Sequence, residues 1–282
     1  DPKVPVSISD LIKGTTIQSA NDAAITLAEA IGNGSVDEFV KQMNEEAKRL
    51  GMKHTHFNNP TGISSNGHVS TVGDLAILAA ALINDYPKYY PLFANKSFKY
   101  NNIEQPNRNL LLYRDSSIDG LKTGYSEGAG YHLAASSKRN NRRIVSILAG
   151  AESTEARASE SSKLLNWSLQ AFDTPKLYNG GEVISQVKVY KGSTKAVDIG
   201  FLDDVYITIP HDTGKNVKPI LETLQPVLAP IEKGQVLGKL KVMKDGKIIA
   251  EKDVVALTGV EEGSWLRRMW DAIVLWFKGL DR

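Results

Sequence analysis

The 282-residue chain contains no cysteine, which excludes thiolate catalysis and disulfides and leaves the redox compartment open. No run of about eighteen apolar residues occurs, so no segment reads as a membrane-spanning helix. Neither sign of charge is in excess: 34 basic and 32 acidic residues leave +2, and no bulk field argues for a nucleic-acid partner. The chain opens at Asp1 with neither methionine nor an apolar leader, from which a removed signal peptide is expected. Histidines are few, five in all. His54 and His56 could share a strand face, yet no third ligand stands at metal spacing, so neither a metal nor another cofactor is expected. What is present suits a globular protein, with 41% hydrophobic and 23% charged residues and length for one large domain or two ordinary ones.

Residues 1–174 read as mixed helix and strand. Ser7 with Asp10 and Ser35 with Glu38 resemble capping boxes ahead of apolar-periodic stretches. The second stretch repeats Phe39, Met43, Ala47 and Leu50 on one helical face, and Gly51 can stop it. Asp22 could cap a helix bearing Ala23, Leu27 and Ile31, and Thr71 with Asp74 opens another that Pro87 bars from continuing. Ile118 to Thr123, Tyr131 to Ala135 and Arg143 to Ala149 read as strands, followed by a helix from about Thr154 to Phe172. Residues 175–256 are dominated by β-branched runs, Val183–Tyr190, Val205–Ile209, Val236–Met243 and Ile248–Val255. Lys244-Asp245-Gly246 joins the last two as a hairpin. This is a small all-β domain without a catalytic constellation, suited to spacing or docking.

Residues 257–282 stand apart, holding three of the four tryptophans. At about 100° per residue, Trp265, Leu266, Met269, Trp270, Ile273, Trp276, Phe277 and Leu280 fall within one arc. Arg267, Arg268, Asp271, Lys278 and Arg282 lie opposite, and Val274, Leu275 and Asp281 fit neither face. Tryptophan against arginine matches an interfacial helix lying in a membrane surface. A helix docked on its own protein is the plainer alternative.

Two short motifs carry chemistry. Ser19-Ala20-Asn21 sits between two helices, where a hydroxyl can relay a proton and an amide can orient a peptide carbonyl. Helix capping is its simpler reading. Lys122-Thr123-Gly124 ends a strand, offering an ammonium and a hydroxyl to a carboxylate and an edge to an extended peptide. Gly124 allows another backbone to come close. The one Ser-x-x-Lys in the chain, Ser185 to Lys188, lies in a strand-like run whose i and i+3 side chains point to opposite faces, so Lys188 cannot deprotonate Ser185.

Together these motifs, with Thr55-His56-Phe57-Asn58-Asn59-Pro60-Thr61-Gly62, Asn107-Arg108-Asn109 and Asp119-Gly120-Leu121, resemble the low-molecular-mass penicillin-binding proteins. The β domain and aromatic tail narrow the resemblance to membrane-associated serine-type D-alanyl-D-alanine carboxypeptidases of the penicillin-binding protein 5/6 kind. It implies an α/β (α+β) transpeptidase-like domain truncated at its N-terminus, then an all-β domain and an amphipathic anchoring helix. It implies removal of the terminal D-alanine from peptidoglycan stem peptides through an acyl-enzyme, inhibition by β-lactams, and a periplasmic place at the inner membrane. By that resemblance Ser19 relays the proton and Asn21 holds the substrate amide. Lys122 and Thr123 face the terminal carboxylate, Gly124 belongs to the same substrate-binding segment, and the Tyr125 N–H forms half of an oxyanion hole. No Ser-x-x-Lys precedes Ser19, so the chain by itself is expected to be inactive, with open sheet edges and an incompletely filled core. A non-catalytic module that binds stem peptides is the alternative, and oligomeric state is left open.

Overall fold

The computed structural model describes residues 4–139, 142–211 and 217–279, in two compact units that divide between Leu169 and Gln170. Leu280 of the aromatic arc lies outside the described residues.

The first unit begins with helices set by the expected caps. α1 (Ile8–Lys13) starts where the Ser7 hydroxyl accepts the Asp10 N–H at 3.0 Å. A single π turn (Gly14–Gln18) follows and delivers the chain to Ser19, whose φ of 60° and ψ of 39° are left-handed. α2 (Asn21–Ile31) therefore starts one residue before Asp22, with Ala20 at its cap. Asp22 is no cap: it sits within the first turn and accepts the N–H of Ala23. α3 (Val36–Leu50) is capped by Ser35 and closed by Gly51 at φ 79°. α4 (Val72–Asp85) is capped by Thr71, whose hydroxyl accepts the Asp74 N–H at 3.1 Å.

A hairpin that periodicity did not reveal comes next, β1 (Ser97–Tyr100) with β2 (Ile103–Pro106). Its two-residue turn is Asn101-Asn102, both at positive φ, a conformation asparagine tolerates. A short α5 (Leu111–Arg114) leads into the antiparallel sheet β3 (Ile118–Ser126), β4 (Gly130–Arg139) and β5 (Arg142–Ala151), in that spatial order. α6 (Thr154–Ala171) covers one face, packing Ala158 and Leu165 with Leu133, Ala135 and Ile118. α4 covers the other, packing Ala79, Leu82 and Ile83 with Leu121, Ala134 and Ile147. Among the described residues β3 and β5 each have one neighbouring strand.

The second unit is mostly strand: β6 (Phe172–Asp173), β7 (Lys176–Tyr178), β8 (Val183–Tyr190), β9 (Ala196–Gly200), β10 (Val205–Tyr206), β11 (Ile209–Pro210), β12 (Val217–Thr223), β13 (Val227–Leu228), β14 (Val236–Lys244) and β15 (Lys247–Ala256). The run expected over Val205–Ile209 is two strands, because β10 pairs with β7 and β11 with β6. The β14–β15 turn is the expected hairpin, with Asp245 at φ 49° and Gly246 at φ 76°. Val187, Val189, Val197, Ile199, Leu240 and Val254 fill its core. The unit ends in α7 (Trp265–Phe277).

Candidate active site

The two motifs meet. Lys122 lies in β3 on the outer edge of its sheet, and its ammonium donates to the Ser19 hydroxyl across 103 residues of chain. The same Nζ donates to the Thr123 carbonyl at 2.7 Å. Burial is the main reason the proton affinity of Lys122 falls, from the ordinary 10.5 to about 8, and the cationic Arg108 and Arg157 add to it. A lysine of this kind both gives and takes a proton near neutrality.

The position of Ser19 follows from what surrounds the π turn. Gln18 Nε2 donates to the Pro106 carbonyl at 2.5 Å, tying the turn to the β1–β2 hairpin. A relay of side-chain amides then runs from the end of that hairpin to β3. Asn107 Nδ2 donates to the Asn95 carbonyl at 2.9 Å, the Asn109 N–H donates to Asn107 Oδ1 at 2.9 Å, and Asn109 Nδ2 donates to the Gly120 carbonyl at 3.2 Å. Both asparagines are buried, so each bond forms without water competing. This is the physical content of the Asn107-Arg108-Asn109 segment: it fixes the height of β3 beneath Ser19.

Arg143 steadies the same end of β3, at the residue before Gly120. Its guanidinium pairs with Asp119 at 2.7 Å and donates to the Ser136 hydroxyl at 2.6 Å. It also lies 5.0 Å from the Tyr90 ring centroid. Tyr90 is buried against Gly120, where a β-carbon would meet its hydroxyl at 2.5 Å. Glycine is required there by space.

The remaining residues take separate places. Asn21 opens α2 and is exposed. Thr123 is buried and pairs with Leu133 of β4. The missing β-carbon of Gly124 faces the His132 ring at 3.5 Å, an ordinary contact, rather than another backbone. Tyr125 is exposed and its ring lies tilted against that of Tyr131, with centroids 4.5 Å apart. Ser185 and Lys188 both lie in β8, and Lys188 Nζ sits 4.6 Å from the Tyr190 ring, so no serine–lysine pair forms there.

Arg157 is the participant that sequence reasoning missed. It is buried on α6 and donates to the carbonyls of Gly124, His132 and Arg108 at 3.3, 3.4 and 3.1 Å. One side chain thus gathers three carbonyls behind the Lys122-Thr123-Gly124 strand. Burial first, then Arg108, lowers its own proton affinity against a rise caused by Tyr131. In the sequence it was one polar residue in a helix, with no period or motif to mark it.

Comparison with known proteins shows the family and the fold. Residues 1–153 match the family model of D-alanyl-D-alanine carboxypeptidases, and residues 172–262 match the C-terminal domain of penicillin-binding protein 5. The chain is 39% identical to the D-alanyl-D-alanine carboxypeptidase DacA of Haemophilus influenzae, over 99% of this chain and 72% of that protein. It is 38% identical to DacC of Escherichia coli, over 98% of this chain and 69% of the relative. Penicillin binding protein 5 from Haemophilus influenzae superposes with a TM-score of 0.81 at 38% identity, covering 92% of this chain and 76% of that structure. Cefotaxime-bound penicillin-binding protein D2 from Listeria monocytogenes gives 0.54 at 33% identity, covering 58% and 67%.

Proposed function

Because this chain belongs to the D-alanyl-D-alanine carboxypeptidase family, we propose that Ser19 and Lys122 form the proton-transfer pair of that serine-type reaction. The activity is hydrolysis of a terminal D-Ala-D-Ala bond, and a non-catalytic role is not favoured. The observation that carries the assignment is the buried Lys122-to-Ser19 hydrogen bond.

In the first half of the reaction a serine oxygen attacks the penultimate carbonyl, the amide nitrogen departs with a proton, and free D-alanine leaves an acyl-enzyme. Ser19 lies between Lys122 and that nitrogen: its hydroxyl passes a proton outward and recovers one from the ammonium. The other protonated donors of Lys122, with the Thr123 hydroxyl, meet the substrate's terminal carboxylate. Asn21 donates to the substrate amide, and the Tyr125 N–H supplies half of the oxyanion hole. The open edge of β3 lets the peptide add as a strand, which sets the scissile bond at a fixed height. Among the described helices no serine stands three residues before a lysine.

β-Lactams present a carboxylate to the same donors, and cefotaxime binding by the Listeria relative supports them as ligands. The protein works in the periplasm at the outer face of the inner membrane, with the second unit as spacer and α7 as anchor. The support is the aromatic surface of α7; no described helix is long and apolar enough to cross a membrane.

Calorimetry with a short peptide ending in D-Ala-D-Ala tests the site on this chain directly. The free acid is expected to bind at least about tenfold more tightly than its C-terminal amide, as charge-assisted hydrogen bonds require. Lys122→Met should erase that difference. Equal binding of acid and amide would remove Lys122 and Thr123 from the carboxylate site.

A further inference from the structure

Helix α7 has two faces, and the structure turns part of the polar one inward, leaving Arg268 and Lys278 exposed. Arg267, Asp271, Val274 and Leu275 follow the i, i+4, i+7, i+8 spacing of one helical stripe. That stripe lies against its own unit: Leu275 is 1% exposed. The Asp271 carboxylate accepts the Lys191 N–H at 2.6 Å, and Arg267 donates to the Ser193 carbonyl at 3.0 Å. The segment leading into the helix runs along the same residues, with the Ser193 N–H on the Glu261 carbonyl at 2.7 Å and the Gly263 N–H on the Lys191 carbonyl at 2.8 Å. Arg268 is paired with the Glu262 carboxylate. The outward face holds Trp265, Met269, Trp270, Ile273, Trp276 and Phe277, all exposed and without a charged neighbour on that face.

We infer that this face fits an uncharged lipid surface, inserting into zwitterionic bilayer by apolar and aromatic contact rather than by basic residues reading anionic headgroups. The inference rests on the membrane reading above and goes further, to the class of lipid. Interfacial helices that select anionic membranes keep a lysine- and arginine-rich face toward the headgroups. Here both arginines of the helix are engaged within the unit, one on a carbonyl and one on a carboxylate. Among the described residues of the tail, Lys278, exposed just past the helix end, is left to meet a headgroup. Each basic residue facing an anionic leaflet strengthens binding about fivefold. Three such residues would give a preference above about 100-fold, whereas Lys278 alone gives at most about fivefold.

The test is flotation of the whole chain with phosphatidylcholine vesicles, and with vesicles containing added phosphatidylglycerol, from about 0.05 to about 0.5 M sodium chloride. Binding to both, within about fivefold of each other and resistant to salt, is the expected result. Trp270→Ser, an exposed substitution, should weaken binding to both vesicles about tenfold or more. Binding confined to the anionic vesicles and released by salt would overturn the inference while leaving membrane attachment standing. Binding to neither vesicle would overturn the membrane reading and the inference together. So would a lipid-free dimer that Trp270→Ser dissociates, since the face would then belong to a second copy.

Discussion

Replacing Lys122 by methionine separates the stability of this site from its chemistry. The fall in proton affinity from 10.5 to about 8 means that holding the ammonium in its buried position, beside Arg108 and Arg157, destabilises the fold by about 3 kcal/mol near neutral pH. Methionine keeps the length of the side chain and discards the charge. It also discards the donations to Ser19 and to the Thr123 carbonyl, worth about 1 kcal/mol each. Lys122→Met is therefore expected to be about 1 to 3 kcal/mol more stable than the parent at pH 7, and unable to distinguish acid from amide ligands. The sign with pH follows from the two protonation states. Below about pH 8 both folded and unfolded chains carry the proton and the penalty is present in full. Between about 8 and 10.5 the unfolded chain holds more protons, so the parent gains stability as pH rises. Urea unfolding of both proteins from pH 7 to 10.5 measures the difference, and other titrating groups cancel in the comparison. A gap that stays flat across that range would refute the assignment of a perturbed lysine.

Ser19→Gly should be more stable than Ser19→Ala by about 1 kcal/mol, because both lose the hydroxyl but only glycine suits φ 60°. Equal melting temperatures would contradict the strain. Arg157→Ala should lower stability by about 3 kcal/mol by stranding the carbonyls of Gly124, His132 and Arg108. It should also move the Lys122-dependent titration above pH 8, and an unmoved midpoint would show that Arg157 acts on packing alone. The polypeptide of residues 1–282 should form no covalent adduct with a fluorescent penicillin, since its Ser-x-x-Lys lies in β8. A denaturation-resistant band lost on Ser19→Ala or Ser185→Ala would identify an attacking serine in this chain.

Much of this was legible in the residues because the signals were local. Ser7, Ser35 and Thr71 capped the helices expected of them, and Asp245-Gly246 made its hairpin, since each needs only a few neighbours to act. Lys122-Thr123-Gly124 was readable for the same reason. The π turn, the left-handed Ser19 and the displaced start of α2 carried no such local signal, and Gln18 at the end of that turn bonds a carbonyl far along the chain. Asn101-Asn102 did carry a turn signal, weaker than one with glycine. Arg157 left no local trace: its role exists only once α6 lies on the sheet. Leu275, one of the apolar residues that fitted neither face of the helical arc, is the one that α7 buries.

The bond between Ser19 and Lys122 also has a temporal meaning. It closes a loop of 103 residues, and contacts of such separation form late because loop-closure entropy must first be overcome. Burial, and the approach of Arg108 and Arg157, are what move the lysine. Until the amide relay and α6 are in place, residue 122 is an ordinary solvated lysine, protonated at any physiological pH. A nascent or half-opened chain therefore holds the motif without the reactivity. The amine that can release a proton near neutrality is a readout of completed folding.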